Sequence, residues 1–110
     1  MNAEDAKLIT LARGARGRVG AEHGAAVRDD TGRTYSGADV MLPSLQLSAV
    51  QLAIAQAMAA GARGLEGVAV VAVDPRLTKA DRQALHEAGG ATATVILADP
   101  SGNVRDEGSA

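Results

Sequence analysis

The chain contains no cysteine, tryptophan or phenylalanine, and Tyr35 is its one aromatic residue. Without cysteine there is no disulfide framework, although that absence assigns no redox compartment. No apolar run approaches the roughly 20 residues that a membrane-spanning helix requires. The first residues, Met1-Asn2-Ala3-Glu4-Asp5, are acidic and lead into no apolar h-region, so no secretory signal is read there. The expectation is a cytoplasmic protein without membrane contact. Excess positive charge is also missing, and a net charge of −2 argues against a general nucleic-acid binder. The basic residues are nine Arg and two Lys in a chain rich in Ala and Gly, which reads as genome composition before function.

What is present fits one ordinary domain. A chain of 110 residues can bury a single core without disulfide or metal staples. A first helix begins near Asn2, with Asp5 three residues on as in a weak capping box. Leu8, Leu11, Ala12, Ala15 and Val19 fall at helical spacing and give it one narrow apolar face. Gly14, Gly17 and Gly20 are expected to fray its end, since each costs about 1 kcal/mol relative to Ala. Residues 24–28 and 33–37 read as two short strands, with Asp29-Asp30-Thr31-Gly32 as the hairpin turn. Residues 38–46, containing Pro43, read as a loop.

A second helix over residues 47–60 carries apolar residues on nearly every side and ends at Gly61, the pattern of a buried helix. Residues 68–73 form an unbroken apolar run suited to an interior strand covered on both faces. A third helix starts with Thr78 as N-cap and ends at Gly89-Gly90. Residues 92–98 form another buried strand, followed by the turn Asp99-Pro100-Ser101-Gly102. Residues 105–110 are read as a disordered polar tail after a single domain of residues 1–104. The predicted order is αββαβαβ, and strands separated by helices place the chain in the α/β class.

The two later helix starts carry the functional information. Ser48-Ala49-Val50 opens one, and Leu77-Thr78-Lys79-Ala80-Asp81-Arg82-Gln83 leads into the other. In spacing and flanks the segment from Gly24 to about Val104 resembles the cytidine deaminase family. That family reads Cys-Ala-Glu or His-Ala-Glu at the first start and Pro-Cys-x-x-Cys-Arg-Gln at the second. Here Ser48 stands at the first ligand position and Val50 at the catalytic Glu. Leu77 replaces the Pro, Thr78 and Asp81 replace the two Cys, and Arg82 and Gln83 remain. The resemblance implies a three-layer α/β/α sandwich, with dimers or tetramers whose active sites lie at subunit contacts.

The resemblance also says which chemistry is missing. In zinc deaminases three His or Cys ligands hold a metal that activates water, and a Glu moves protons during attack on the base. Val50 cannot move a proton. Ser48 and Thr78 are alcohols, whereas zinc takes Cys sulfur, His nitrogen or carboxylate oxygen. Asp81 alone could bind metal, and one carboxylate is not a site. Gly37-Ala38-Asp39-Val40-Met41 resembles the family's sugar-binding Gly-x-Asn-x-Glu, with Asp39 for the Asn and Met41 for the Glu. The Glu that would accept a ribose hydroxyl is thereby lost. Asp39, Met41, Arg82 and Gln83 are what remains of a ligand site.

Other residues invite weaker readings. Asp81 reads first as a charge favouring a helix N-terminus. Ser48 reads first as a helix cap. His86 reads as a solvated helix residue, His23 as a loop residue, and Tyr35 as a half-buried strand residue before a base-stacking platform. Lys7, Arg13, Arg16 and Arg18 make the first helix locally basic. They are a solvated face first and a contact for RNA phosphates or an acidic partner second. The sequence thus reads as a zinc-free, non-catalytic relative acting as a binding or assembly module, without cofactor and as a homo-oligomer. One rival is a nucleoside or nucleobase hydrolase rebuilt around Ser48, Asp39, Asp81 and His86. Another is a small RNA- or ribosome-associated adaptor using the basic helix.

Overall fold

The computed structural model describes residues 1–110. Its first element, α1 (Ala3–Val19), starts where the capping pattern predicts: the Asn2 side chain accepts the Asp5 N–H at 2.8 Å. The predicted fraying does not occur. Gly14 and Gly17 lie within the helix, and it stops only at Gly20, whose left-handed φ of 64° turns its N–H back onto the Arg16 carbonyl. Packing of the apolar face against the sheet outweighs the low helix propensity of two exposed glycines.

Five strands form the sheet: β1 (Gly24–Asp29), β2 (Thr34–Ala38), β5 (Leu65–Val71), β6 (Thr94–Ala98) and β7 (Val104–Ser109). Their order is β2-β1-β5-β6-β7, with β5 and β6 parallel and every other neighbouring pair antiparallel. Alternation sorts the side chains into two cores. Ala25, Val27, Val68, Val70 and Val95 face α2 (Ala49–Ala59) and α3 (Lys79–Glu87), while Ala26, Ala69, Val71, Ile96 and Ala98 face α1. The result is the α/β/α sandwich that the resemblance implied, with β5 as the central strand. No helix is long and apolar enough to cross a membrane.

Four expectations need correction. Residues 105–110 are not a disordered tail, because 104–109 form β7, hydrogen-bonded to β6. All six residues of β7 are exposed, so the strand carries none of the apolar alternation that would have announced it. The stretch read as a loop, 38–46, contains a separate two-stranded ribbon, β3 (Val40–Leu42) with β4 (Leu45–Leu47). The observed order is therefore αββββαβαββ. Finally, α2 is not buried on every side: Ala49, Val50, Ala53, Ile54 and Ala57 are buried, whereas Met58 is 38% exposed.

The β1–β2 turn is locked by Asp29, which is buried at the end of β1. Its carboxylate accepts from Thr31 N–H (2.9 Å), Thr31 Oγ1 (2.7 Å), Arg33 N–H (2.9 Å) and the Tyr35 hydroxyl (3.0 Å). Burial pushes the carboxyl upward, but the combined donors prevail and hold it below the usual carboxylate range. Burial and the bond to Asp29 together push the Tyr35 hydroxyl above its usual range. Tyr35 is thus a structural strand residue. A depressed folded-state pKa contributes stability above the unfolded value that is lost as pH falls through the folded one. Asp29→Asn is therefore expected to lower stability at pH 7 and to flatten the loss of stability below about pH 4. Parallel pH profiles for parent and variant would refute this role.

Candidate functional site

The starts of α2 and α3 meet at the carboxyl end of β5, where open α/β sheets commonly bind ligands. Ser48 caps α2 in a complete capping box: its Oγ accepts the Gln51 N–H at 3.0 Å, and Gln51 Oε1 accepts the Ser48 N–H at 2.9 Å. Thr78 caps α3 by accepting the Asp81 N–H at 3.1 Å. The two helix starts are then joined. Ser48 Oγ donates to Asp81 Oδ1 at 2.6 Å, and Asp81 is only 4% exposed. A short bond from a hydroxyl to a buried carboxylate is of the stronger, charge-assisted kind.

A second carboxylate organises the other wall. Asp39 follows β2 directly, and its Oδ1 accepts the Ala49 N–H at 3.1 Å, supplying the start of α2 with a negative charge. Its Oδ2 accepts both the backbone N–H of His23 (2.9 Å) and the imidazole Nδ1 (2.8 Å). One side chain thus ties together the approach to β1, the end of β2 and the N-terminus of α2. His23 is the loop residue that the sequence suggests, and the structure places it on the lining of this candidate site. Its partner lies 16 residues away, and no local motif announces the pair.

These groups enclose a cavity of about 80 Å³, with His23, Asp39, Ser48, Thr78, Asp81 and Arg76 as its polar lining. Ala49, Val50 and Val70 supply its apolar wall, and Val50 is buried at 2% exposure. A wider bowl of about 470 Å³ adjoins it, sharing His23, Asp39 and Ser48 and adding Met41, Gln46 and Leu47. The structure therefore gathers Ser48, Val50, Thr78, Asp81 and Asp39 around one space and puts Met41 at its rim.

Other sequence candidates lie elsewhere. Arg82 Nη1 donates to the Ser109 carbonyl at 3.2 Å, holding the end of β7. Gln83 donates to Glu87 at 3.2 Å on the solvent side of α3, near the exposed His86. Arg82 and Gln83 therefore do not line the cavity that Thr78 and Asp81 border, because helical spacing turns them to another side of α3. His86 is likewise outside it, so of the four residues named in the hydrolase reading only Ser48, Asp39 and Asp81 line the cavity. In the basic stretch, Arg13 Nε donates to the Pro100 carbonyl at 3.0 Å and Arg16 Nε to the Glu22 carbonyl at 3.1 Å. Both guanidinium groups thus brace turns, while Lys7 and Arg18 are exposed.

The donor set does not fit a zinc ion. Two alcohols and one carboxylate stand at the helix starts, and that carboxylate already accepts the Ser48 hydroxyl. No three His, Cys, Asp or Glu side chains are arranged to hold a metal.

Comparison with known proteins supplies an independent line. A family model described as cytidine deaminase-like matches residues 1–102. Among solved structures, a cytidine deaminase from Burkholderia pseudomallei is 30% identical, with a TM-score of 0.83, covering 99% of this chain and 93% of that one. A cytidine deaminase from Mycobacterium tuberculosis is 27% identical, with a TM-score of 0.69 and coverage of 90% and 86%. One from Mycobacterium leprae is 25% identical, with a TM-score of 0.68 and coverage of 90% and 89%. No curated protein sequence matches the chain.

Proposed function

The chain belongs to the cytidine deaminase-like family, and from that premise we propose that it is a zinc-free, non-catalytic member acting as a binding or assembly module in the cytoplasm. One observation carries the reading: the Ser48–Asp81 hydrogen bond spans the two helix starts at the positions where the family resemblance puts metal ligands. The same positions cannot generate hydroxide at neutral pH, a step that zinc makes possible by lowering the pKa of bound water from about 15.7 to near 7. Val50, buried where the proton-shuttling Glu would stand, removes a further term of about 10²- to 10⁴-fold. Protein purified without chelators is expected to contain no stoichiometric zinc by elemental analysis and to form no uridine from cytidine above a blank. Near-equimolar zinc, or turnover, would overturn the proposal.

The assembly half of the reading is a homo-oligomer. It is supported by the β3–β4 ribbon, which stands apart from the main sheet with Met41 71%, Leu42 54% and Leu45 49% exposed. Val19, 67% exposed at the end of α1, adds to the exposed apolar residues. Isolated two-stranded ribbons are marginal in water, and clustered apolar exposure marks interaction surfaces. Light scattering at micromolar concentration should give a multiple of 11.1 kDa, falling to the monomer mass in a Met41→Asp, Leu42→Ser variant. A parent protein of monomer mass would contradict it.

A further inference from the structure

An open sheet ends in two strands whose outer N–H and C=O groups are a template for pairing with another chain. Here those strands are β2 and β7, and their register fixes which groups face outward. In an antiparallel pair, alternate residues exchange both ladder bonds, and the residues between them direct their N–H and C=O to the other side. The Asp29 N–H donates to the Arg33 carbonyl, so Tyr35 and Gly37 bond inward to β1 while Ser36 faces outward. The Ala110 N–H donates to the Ala93 carbonyl, which by the same alternation turns Asp106 and Gly108 inward and Glu107 and Ser109 outward. The Ala72 N–H, which donates to the Ala98 carbonyl, agrees: it assigns the even-numbered residues of β6 to the β5 side.

Each outer edge is met by the chain's own side chains. At β2, Gln56 Nε2 on α2 donates to the outward Ser36 carbonyl at 2.6 Å. At β7, Arg82 Nη1 on α3 donates to the outward Ser109 carbonyl at 3.2 Å, and the outward Glu107 N–H is taken by Asp106 Oδ1 at 2.9 Å. Arg105 is an extra residue on β7, since Leu97 pairs with Asp106 but Ala98 with Val104, and such bulges twist an edge away from further pairing. These bonds are exposed and add nothing to the ladder itself. What they occupy is the half of each strand that a newcomer would need. Of the two edges β7 is the more open, because all six of its residues are exposed, whereas Gly37 of β2 lies tight against Leu52 of α2.

We propose that Arg82 and Asp106 form an autoinhibitory plug on β7 that stops the sheet from adding a second copy of this chain along that edge. Because every copy carries the same edge, unplugging frees both partners at once, and an isologous β7–β7 pair is the expected product. The test compares Arg82→Met, Asp106→Ala with its background, both carrying Met41→Asp and Leu42→Ser, so the outcome does not depend on the role of the ribbon. Light scattering against concentration should show the unplugged variant rising to twice the mass of the background. In the associated form, hydrogen exchange at the Glu107 amide should slow by about tenfold, the worth of one added hydrogen bond. Adding Glu107→Pro removes that outward N–H without costing a ladder bond to β6, and should return the variant to the background mass. If Arg82→Met loosens β7, Asp106→Ala alone frees the Glu107 N–H and gives the same test. A folded unplugged variant that keeps the background mass at every concentration, or association that survives Glu107→Pro, would overturn the proposal.

Discussion

Val50→Glu is expected to destabilise the protein by about 3 kcal/mol at neutral pH, against about 1–2 kcal/mol for Val50→Ala. The Ala variant loses two methyl groups and enlarges a cavity that already exists beside residue 50. The Glu variant restores the family's residue type without the metal that would accompany it. Its carboxylate would enter an apolar wall facing the negative charges of Asp39 and Asp81, and both burial and like charge oppose ionisation. The new group's folded pKa would then lie above its unfolded value of about 4.3. Such a group costs little below the unfolded pKa and progressively more as pH rises through the folded one. The deficit of Val50→Glu should therefore grow from pH 4 to pH 8, while that of Val50→Gln stays flat. Denaturant titrations of the four proteins at both pH values provide the check. Parental stability of Val50→Glu at pH 8 would mean that position 50 faces water.

The parts legible in the sequence were those whose cause is local. Asn2 and Asp5, Ser48 and Gln51, and Thr78 and Asp81 each lie within one helical turn, so capping chemistry can be read from short spacing. The interior strand β5 announced itself because both of its faces are covered and every second residue had to be apolar for a different core. By contrast, β7 is an exposed edge whose Arg105, Asp106 and Glu107 suit an edge strand that must not recruit another. The same polarity made it look like a tail. Pro43 and the three-residue length of β3 and β4 hid the ribbon. Long-range partners were the least visible. The 16-residue reach from Asp39 to His23 and the 87-residue reach from Arg13 to Pro100 exist only once the sheet has assembled. That is why a loop histidine became a site residue and two candidate contact arginines became braces.

The family resemblance singled out the two helix starts but not the bond between them. Sequence alone gives Ser48 as the cap of one helix and Asp81 as a charge at the start of another, 33 residues apart. The structure joins them, and the same geometry explains why both residue types belong there. A hydroxyl can cap α2 through its lone pair while its proton bonds to the carboxylate on α3. Cysteine would perform the second task poorly, because a thiol is a weak donor.

This bridge is the central structural claim, and its removal should have the other large effect. Ser48→Ala loses a cap of about 1 kcal/mol and leaves a buried carboxylate without its donor, for a total cost of about 2–4 kcal/mol. Asp81→Ala leaves the Ser48 hydroxyl without that acceptor, yet retains the Thr78 cap, which uses only the backbone of residue 81. In the double variant the loss of the α2 cap recurs and cancels from the cycle. The coupling that remains should be about 1.5–3 kcal/mol, the range for hydrogen bonds to charged groups. The decisive measurement is this double-mutant cycle in urea, run with and without a strong zinc chelator. A hydrogen-bonded bridge predicts substantial coupling and identical parental midpoints in both conditions. Negligible coupling, or a parental midpoint that falls when chelator is added, would contradict it.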